Sequence, residues 1–434
     1  MKQYIRQAWN LIRQEKLFSA IYIIGTGLSI AIVMVLSIVL YIRFANIYPE
    51  TNRDRTLTVK NATVKNIKDN GAHSSSLSLN MIDICLRPLS NVEAMTAIWN
   101  PWGTEYYVQP AGTKVQMPVT VKHVDTGFWK VFTFRFLKGS SFSVADFESG
   151  ILSAVISETM ANRIFGTTDA VGRYITINFM QYRVCGVVQN VSSATTASYA
   201  QIWIPYTIDP NHKNSYGEGN LLGDFTVFML AASKPDISGI RNEVLANVQK
   251  INNSMSDDFE LMLLGQPDTY LQSTFRMYSN HEPNMNKIVW TYGLVFLILF
   301  LIPGISLSGM IDSRMERRLT EMGIRRAFGA PAKTLIQQVF MENFLFTLLG
   351  GIVGLILSYL VILLNSSWIM ALGQNSIKIL PDGESVIFSP SMLFNIPVFL
   401  IALGVCFLLN ILTAFIPAWH SAHREIILSL NVRK

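Results

Sequence analysis

Four long stretches of the chain carry no charged side chain: residues 17–42, 288–311, 343–377 and 385–423, which are 26, 24, 35 and 39 residues long. A helix needs about 20 apolar residues to cross roughly 30 Å of hydrocarbon, and a charge at its centre costs about 3 kcal/mol, so each run is long enough to span. Residues 184–208 are equally free of charge yet carry Gln189, Asn190, Ser192, Ser193, Thr195, Thr196, Ser198 and Gln201. Lipid would leave those groups without hydrogen-bond partners, so this stretch reads as strands and a polar loop of a domain in water. The apolar core of the first run is about twice the 7–15 residues of a signal peptide, which predicts an uncleaved anchor.

Between the first two runs, residues 43–287 alternate strand-like and helix-like patterns. Thr104–Val108 and Met117–Val124 read as strands around a turn at Ala111, Gly112 and Thr113. Ser153–Ile156 reads as a strand and Ser157–Phe165 as a helix stopped at Gly166, with strands at Tyr174–Asn178 and Tyr182–Val188. Phe225–Ala231 and Phe259–Leu264 are further strands. Between them Ile237–Ile251 is a helix, because Ile237, Ile240, Val244, Val248 and Ile251 share one face. The serines of 74–78 read as loop. The predicted fold is thus an α-helical membrane protein with four transmembrane helices and an α+β extracytoplasmic domain inserted between helices 1 and 2.

The boundaries follow: 1–18 an interfacial helix, 19–42 the first span, 43–287 the outer domain, 288–311 the second span, 312–338 a cytoplasmic segment, 339–364 the third span, 365–392 a short outer link, 393–418 the fourth span, and 419–434 a tail. In the interfacial helix Ile5, Trp9, Ile12 and Phe18 oppose Arg6, Gln7, Asn10, Arg13 and Gln14, which places it on the inner leaflet of the bilayer. Orientation comes from lysine and arginine near the span ends. Four lie within residues 1–16, six within 312–338 and three in the tail, against Lys378 alone in the link between spans three and four. Both termini are then cytoplasmic in a multi-pass protein of the bacterial inner membrane.

Composition supports this picture: half the residues are hydrophobic and only 15% are charged, against roughly 25% in an average soluble domain. The net charge of +6 sits beside the spans, so it sets topology and does not mark a nucleic-acid surface. Cys85, Cys185 and Cys406 have no metal-ligand spacing; Cys85 and Cys185 either pair outside or remain separate buried thiols. His73, His123, His212 and His281 are scattered, and neither G-x-S-x-G nor H-E-x-x-H occurs, so no enzyme is visible and no metal site is predicted. His420 and His423 lack a third ligand, and interfacial packing is the favoured reading. Asn61-Ala-Thr63 and Asn190-Val-Ser192 fit a glycosylation pattern that arises often by chance.

Between the second and third runs stands the string Glu321-Met-Gly-Ile-Arg-Arg-Ala-Phe-Gly-Ala330, preceded by Arg317 and Arg318 and followed by Glu342 and Gly350-Gly351-x-x-Gly354. A helix interrupted at Gly323, a turn at Gly329 and Pro331, and a second helix entering span three fit this pattern. The string closely resembles the signature of FtsX-like permeases of the MacB family. Phe18–Ile30 is similar to that family's first helix, and Pro417-Ala-Trp-His-Ser-Ala422 to its exit from the fourth. Val119–Gly139, Ala154–Glu158 through Phe165-Gly166, and Gly172–Ile177 to Gly186–Val188 resemble the MacB-type periplasmic core. Two departures stand out: Arg317 replaces an acidic residue of the family pattern, and the proline usual near Glu425–Leu430 is missing.

The resemblance implies a permease subunit whose cytoplasmic segment docks on a separate ABC ATPase. Arg317, Arg318, Glu321, Met322, Gly323, Ile324, Arg325, Arg326, Phe328 and Gly329 would form the coupling surface, with Arg325 and Arg326 meeting acidic groups and Met322, Ile324 and Phe328 as apolar anchors. ATP and magnesium then belong to the partner, because no G-x-x-x-x-G-K-[ST] occurs here and this chain binds no cofactor of its own. The spans hold almost no ionisable groups apart from Glu342 at a boundary, which disfavours a polar conduit and favours transmitted motion. Glu342 either pairs with an arginine of the coupling segment or the ATPase, or snorkels into interfacial water. Gly350 and Gly354 have the spacing of a close helix contact. Implied partners are a second permease copy or homologue, the lipid bilayer, and an adaptor or outer-membrane partner. The implied task is export or extraction of an antimicrobial, a peptide or a lipoprotein. The rival readings are a membrane-anchored sensor or regulator of envelope enzymes without transport, and an integral-membrane enzyme.

Overall fold

The computed structural model describes residues 13, 16–110, 115–276, 281–295, 297–298, 324, 328–329, 331–365, 396–397, 399–401, 403–405 and 407–408. The chain divides into two compact units, one of Met1–Tyr41, Asn286–Leu372 and Pro390–Lys434 and the other of Ile42–Met285 and Gly373–Ser389. The first charge-free run forms one helix, α1 (Lys16–Phe44), with Arg43 in its last turn, where a positive charge complements the helix dipole. Its Ser19–Phe44 portion is long and apolar enough to cross a membrane.

Sixteen strands among the described residues of the outer unit join into one branched sheet. Most neighbours are antiparallel, but Val121–Val124 runs parallel to Ile202–Pro205, and Ser153–Ser157 runs parallel to Met180–Val188. The second parallel pair is bridged by α2 (Glu158–Phe165), capped by the Ser157 hydroxyl on the Met160 amide and closed at Gly166 with φ 71°. That closure needs a left-handed backbone, which glycine adopts without strain. Three cores fill the domain. One packs α3 (Asp236–Ser254), through Ile240, Val244, Val248 and Ile251, with Leu57, Val227 and Met229. A second surrounds Val108, Ile156, Met160, Ile177 and Val184. The third is aromatic, with Phe128, Phe132, Phe142, Trp203 and Phe228 buried together. Strand Phe225–Ala231 lies centrally, between Thr56–Val59 and Val92–Trp99.

Two sequence expectations change. The serine-rich stretch is not a loop: Ala72–Leu77 is a strand paired with Ala62–Asn66, and the hydroxyls of Thr63 and Ser74 meet at 2.7 Å. Ladder bonds to a strong neighbour override the weak strand preference of serine, and three of the six residues face water. Ser78 then caps a helical turn through the Met81 amide. Met117–Val124 is two strands. The chain breaks at Thr120, whose amide donates to the Gln201 side chain and whose carbonyl accepts the Gln201 amide. Met117–Val119 pairs with Tyr106–Gln109, as the hairpin reading required, while Val121–Val124 crosses to Ile202–Pro205. The turn at Ala111, Gly112 and Thr113 lies outside the described residues.

The outer unit closes with α4 (Tyr270–Phe275), whose Thr269 and Gln272 cap one another reciprocally. In the other unit α5 (Ala332–Leu364) starts after Pro331 and ends where the Asn365 side chain reaches the Val361 carbonyl. It is unbroken, so the end of the segment predicted to be cytoplasmic and the predicted third span share one helix. Phe344–Leu364 is the part long and apolar enough to cross a membrane. Of the predicted spans 288–311 and 393–418 only part is described, and it is helical at 288–295 and 297–298 and at the described positions from 396 to 408. The tail, with His420 and His423, and nearly all of the interfacial helix and the short link lie outside the described residues.

Candidate functional site

The outer domain's first connector carries a buried charge. Leaving α1, the chain turns through Glu50 and Arg53, whose side chains are each 1% exposed and joined by Nε to Oε2 at 2.8 Å. Arg53 Nη1 donates to the carbonyls of Ile42 at 2.7 Å and Ala45 at 2.9 Å, the groups that the end of α1 leaves without amide partners. Its guanidinium lies over the Tyr270 ring, 4.6 Å from the centroid. Glu50 is held from the other side: Oε1 accepts from the Ser198 amide at 3.0 Å and hydroxyl at 2.8 Å, and Oε2 accepts from the Tyr270 hydroxyl at 2.8 Å. Burial, followed by the negative charge of Glu50, pushes the Tyr270 phenol well above its usual range, so it remains a donor. Three segments meet here: the end of α1, the polar loop before Ile202–Pro205, and α4.

The second connector has a counterpart. Arg276, immediately after α4, forms a two-pronged pair with Asp268, Nε to Oδ2 at 2.5 Å and Nη2 to Oδ1 at 2.8 Å, with both side chains buried. It also donates to the carbonyls of Leu264 and His281. Lys60 reaches the Ser273 carbonyl of α4 at 2.7 Å, and burial depresses its ammonium pKa. Sequence reading named Ser198 only as a polar residue of 184–208 and His281 only as a scattered histidine, and it did not single out Glu50, Arg53, Lys60, Asp268, Tyr270 or Arg276. The available signal was a carboxylate and an arginine at i,i+3 directly after a span, a pattern that ordinary interfacial charges also show.

The membrane unit is held together differently. Gly27 of α1 faces Gly350 and Gly354 of α5. A Cβ on Gly350 would stand 2.9 Å from the Thr26 Cβ, and one on Gly354 would stand 2.7 Å from the Gly27 carbonyl oxygen and 2.9 Å from the Ile30 Cβ. Tyr22 and Phe346 flank the contact with ring centroids 5.0 Å apart. Gly351 turns another way, toward Leu403. The predicted pair Gly350 and Gly354 therefore meets a third glycine of the same chain.

Of the predicted coupling residues, Ile324 is helical and exposed, Phe328 is 89% exposed, and Gly329 turns the chain with φ 89°. The Phe328 amide returns to the Ile324 carbonyl at 3.1 Å, one helical turn. Arg317, Arg318, Glu321, Met322, Gly323, Arg325 and Arg326 lie outside the described residues, as does the Glu342 side chain, although its backbone belongs to α5. Among the described residues no three His, Cys, Asp or Glu side chains converge on a metal position. His123 packs edge-on against Trp99 and bonds the Tyr106 hydroxyl at 3.2 Å, while buried His212 is tied to the Asp209 carbonyl. Cys85 and Cys185 are both free and belong to different cores. Burial raises their thiols to about 12 and about 11.

Comparison with known proteins places both units. The profile of the MacB-like periplasmic core domain matches residues 19–246, and that of the FtsX-like permease C-terminal region matches residues 291–426. The uncharacterized ABC transporter permease YknZ of Bacillus subtilis is 24% identical over 241 residues, 55% of this chain and 56% of that protein. The pyoverdine export ATP-binding/permease protein PvdT of Pseudomonas syringae pv. syringae is 25% identical over 237 residues, 54% of this chain and 34% of its own. The macrolide export ATP-binding/permease protein MacB of Pasteurella multocida is 23% identical over 314 residues, 72% of this chain and 43% of its own. The chain thus spans between about a third and just over half of the length of these relatives. Among solved structures, the extracellular domain of YknZ from Gram-positive bacteria is 17% identical and covers 47% of this chain and 100% of its own, at a TM-score of 0.33. With a MacB-like core domain and an FtsX-like permease region in one polypeptide, the chain belongs to the MacB/FtsX-type family of ABC transporter permeases.

Proposed function

We propose that this chain is the transmembrane subunit through which a separate ABC ATPase drives the outer domain. The supporting observation is that a MacB-like periplasmic core domain and an FtsX-like permease region lie together on this chain, and that YknZ, of which it covers 56%, is named as an ABC transporter permease. ATP and magnesium accordingly sit on the partner. The four charge-free runs are four spans, with the outer domain between the first and second, both termini in the cytoplasm and the chain in the bacterial inner membrane.

In this reading the ATPase docks on residues 321–330, where exposed Ile324 and Phe328 supply apolar anchors and Arg325 and Arg326 supply charge. Movement of the Gly329 turn is passed to α5 as a rigid rod, across the glycine contact to α1, and along α1 to the outer domain. Two copies, or this chain and a homologue, flank the axis, and an adaptor completes the route outside. The cargo class is an antimicrobial, a peptide or a lipoprotein, in keeping with relatives named for pyoverdine and macrolide export. Co-purification tests the docking. Detergent-solubilised chain is expected to retain an ATPase, and joint replacement of Arg325 and Arg326 by Glu is expected to release it. Full retention by that variant, with unchanged ATP hydrolysis, would refute the docking site.

A further inference from the structure

We propose that Arg53 is the positioning residue that hands movement of α1 to the outer domain, acting through Glu50 on the loop that carries Ser198. The proposal rests on the transmission reading above and gives it a residue.

A buried ion pair is weak evidence for stability, because apolar residues of similar volume usually serve as well, so its retention at a given place calls for another reason. The place here is the single covalent entry from α1 into the domain. Arg53 grips the backbone of that entry: its two carbonyl partners are Ile42, in the last turn of α1, and Ala45, directly after it. The planar guanidinium fixes direction as well as distance, because Nε faces Glu50, Nη1 faces the helix end and the ring of Tyr270 holds the flat face. Glu50 then converts a displacement of Arg53 into a pull on the Ser198 amide. The Ser198 carbonyl in turn accepts from Trp203 Nε1 at 3.1 Å, inside a strand of the central sheet and the aromatic core. The links from the Ile42 carbonyl through Arg53, Glu50 and Ser198 to Trp203 are hydrogen bonds between buried atoms, which water does not relax.

One detail points to two positions of the joint. Arg53 Nη2 is buried and has no hydrogen-bond partner in this structure, which leaves a strong donor unmatched. A small rotation of the α1 end would transfer a carbonyl from Nη1 to Nη2 without breaking the pair with Glu50. The joint can therefore change the helix angle while remaining closed.

The Ser198 amide is a built-in reporter, since its proton is held by Glu50 itself. Hydrogen exchange is measured on the full chain with its ATPase in nanodiscs, comparing ADP with a non-hydrolysable ATP analogue. In the parent protein a nucleotide-dependent change is expected both in peptides covering 321–330 and in peptides covering 195–201. In Arg53→Lys, which keeps the charge but cannot reach the carboxylate and both carbonyls at once, the change at 321–330 should persist and that at 195–201 should be lost. ATP hydrolysis should be unaltered. A purely structural role would lower protein level and protection alike, without a nucleotide-specific loss. Should Arg53→Lys fail to accumulate, Glu50→Gln replaces it with the same expectation, since the amide keeps its shape but loses the charge. A parent protein with no change at 321–330 overturns the transmission reading and this inference with it. A change at 321–330 accompanied by none at 195–201, or by one that survives in the variant, overturns the inference alone.

Discussion

The two units solve the same problem, holding one segment firmly against another, by opposite means. Inside the membrane, α1 and α5 meet where side chains are missing. Gly27, Gly350 and Gly354 bring the two backbones together, and a single added carbon would stand 2.7–2.9 Å from its neighbours. Outside, the connectors are held where side chains are most elaborate, by the Arg53–Glu50 and Arg276–Asp268 pairs with their backbone and tyrosine partners. The difference follows from the solvent. Lipid does not drive apolar helices together, so close packing must, and glycine makes it possible. In water a carbonyl at a helix end is readily solvated, so only a buried, charged donor can hold it in one direction.

The comparison can be broken most forcefully at the joints. Glu50→Ala leaves Arg53 buried and unpaired and should destabilise the outer domain by about 3–5 kcal/mol, whereas Lys68→Ala, which removes the exposed pair with Asp258, should shift stability by at most about 1 kcal/mol. Thermal unfolding of the purified chain checks both. Gly354→Leu should come next. It overpacks the helix contact and is expected to cost about 1–3 kcal/mol or more, seen as reduced membrane accumulation and faster proteolysis. Gly293→Ala, at a position where an added Cβ meets nothing within 4 Å, is its neutral control.

Smaller effects sharpen the contrast between buried and exposed chemistry. Thr269→Ala removes the cap of α4, which lies between the two arginine joints, and should lose about 1 kcal/mol in the same melt. The Cys85 thiol, raised to about 12 by burial, should resist maleimide at neutral pH until the protein unfolds, as followed by mass spectrometry. At the exposed cap of Val144–Glu148, the Ser143 hydroxyl and amide hold the Asp146 carboxyl below its ordinary value of 3.8. Its contribution is therefore present above that value and lost as pH falls through the lowered folded one. Ser143→Ala should flatten that acid limb and leave stability at neutral pH only slightly lower.

What the sequence disclosed follows the same division. The run containing α1 was legible because lipid forbids charge, and α3 was legible because Ile240, Val244, Val248 and Ile251 repeat at helical spacing. The strand Ala72–Leu77 was not, since its serines carry no pattern and its identity comes from pairing with Ala62–Asn66. Gly350 and Gly354 could be named from spacing, yet their partner Gly27, more than 300 residues earlier, appears only in the fold. Arg53 was the least legible of all. A lone arginine after a span reads as an interfacial charge, and what makes it a joint is supplied by Ser198 and Tyr270 from distant parts of the chain.

The most direct test of the account is the side of the membrane on which each end of the path lies. In a chain with its native cysteines replaced, Trp102→Cys and Phe328→Cys each present an exposed thiol, since those side chains are 88% and 89% exposed. With an impermeant maleimide on intact cells, position 102 should label at once and position 328 only after the inner membrane is opened. Labelling of 328 from outside with protection of 102 would contradict the account.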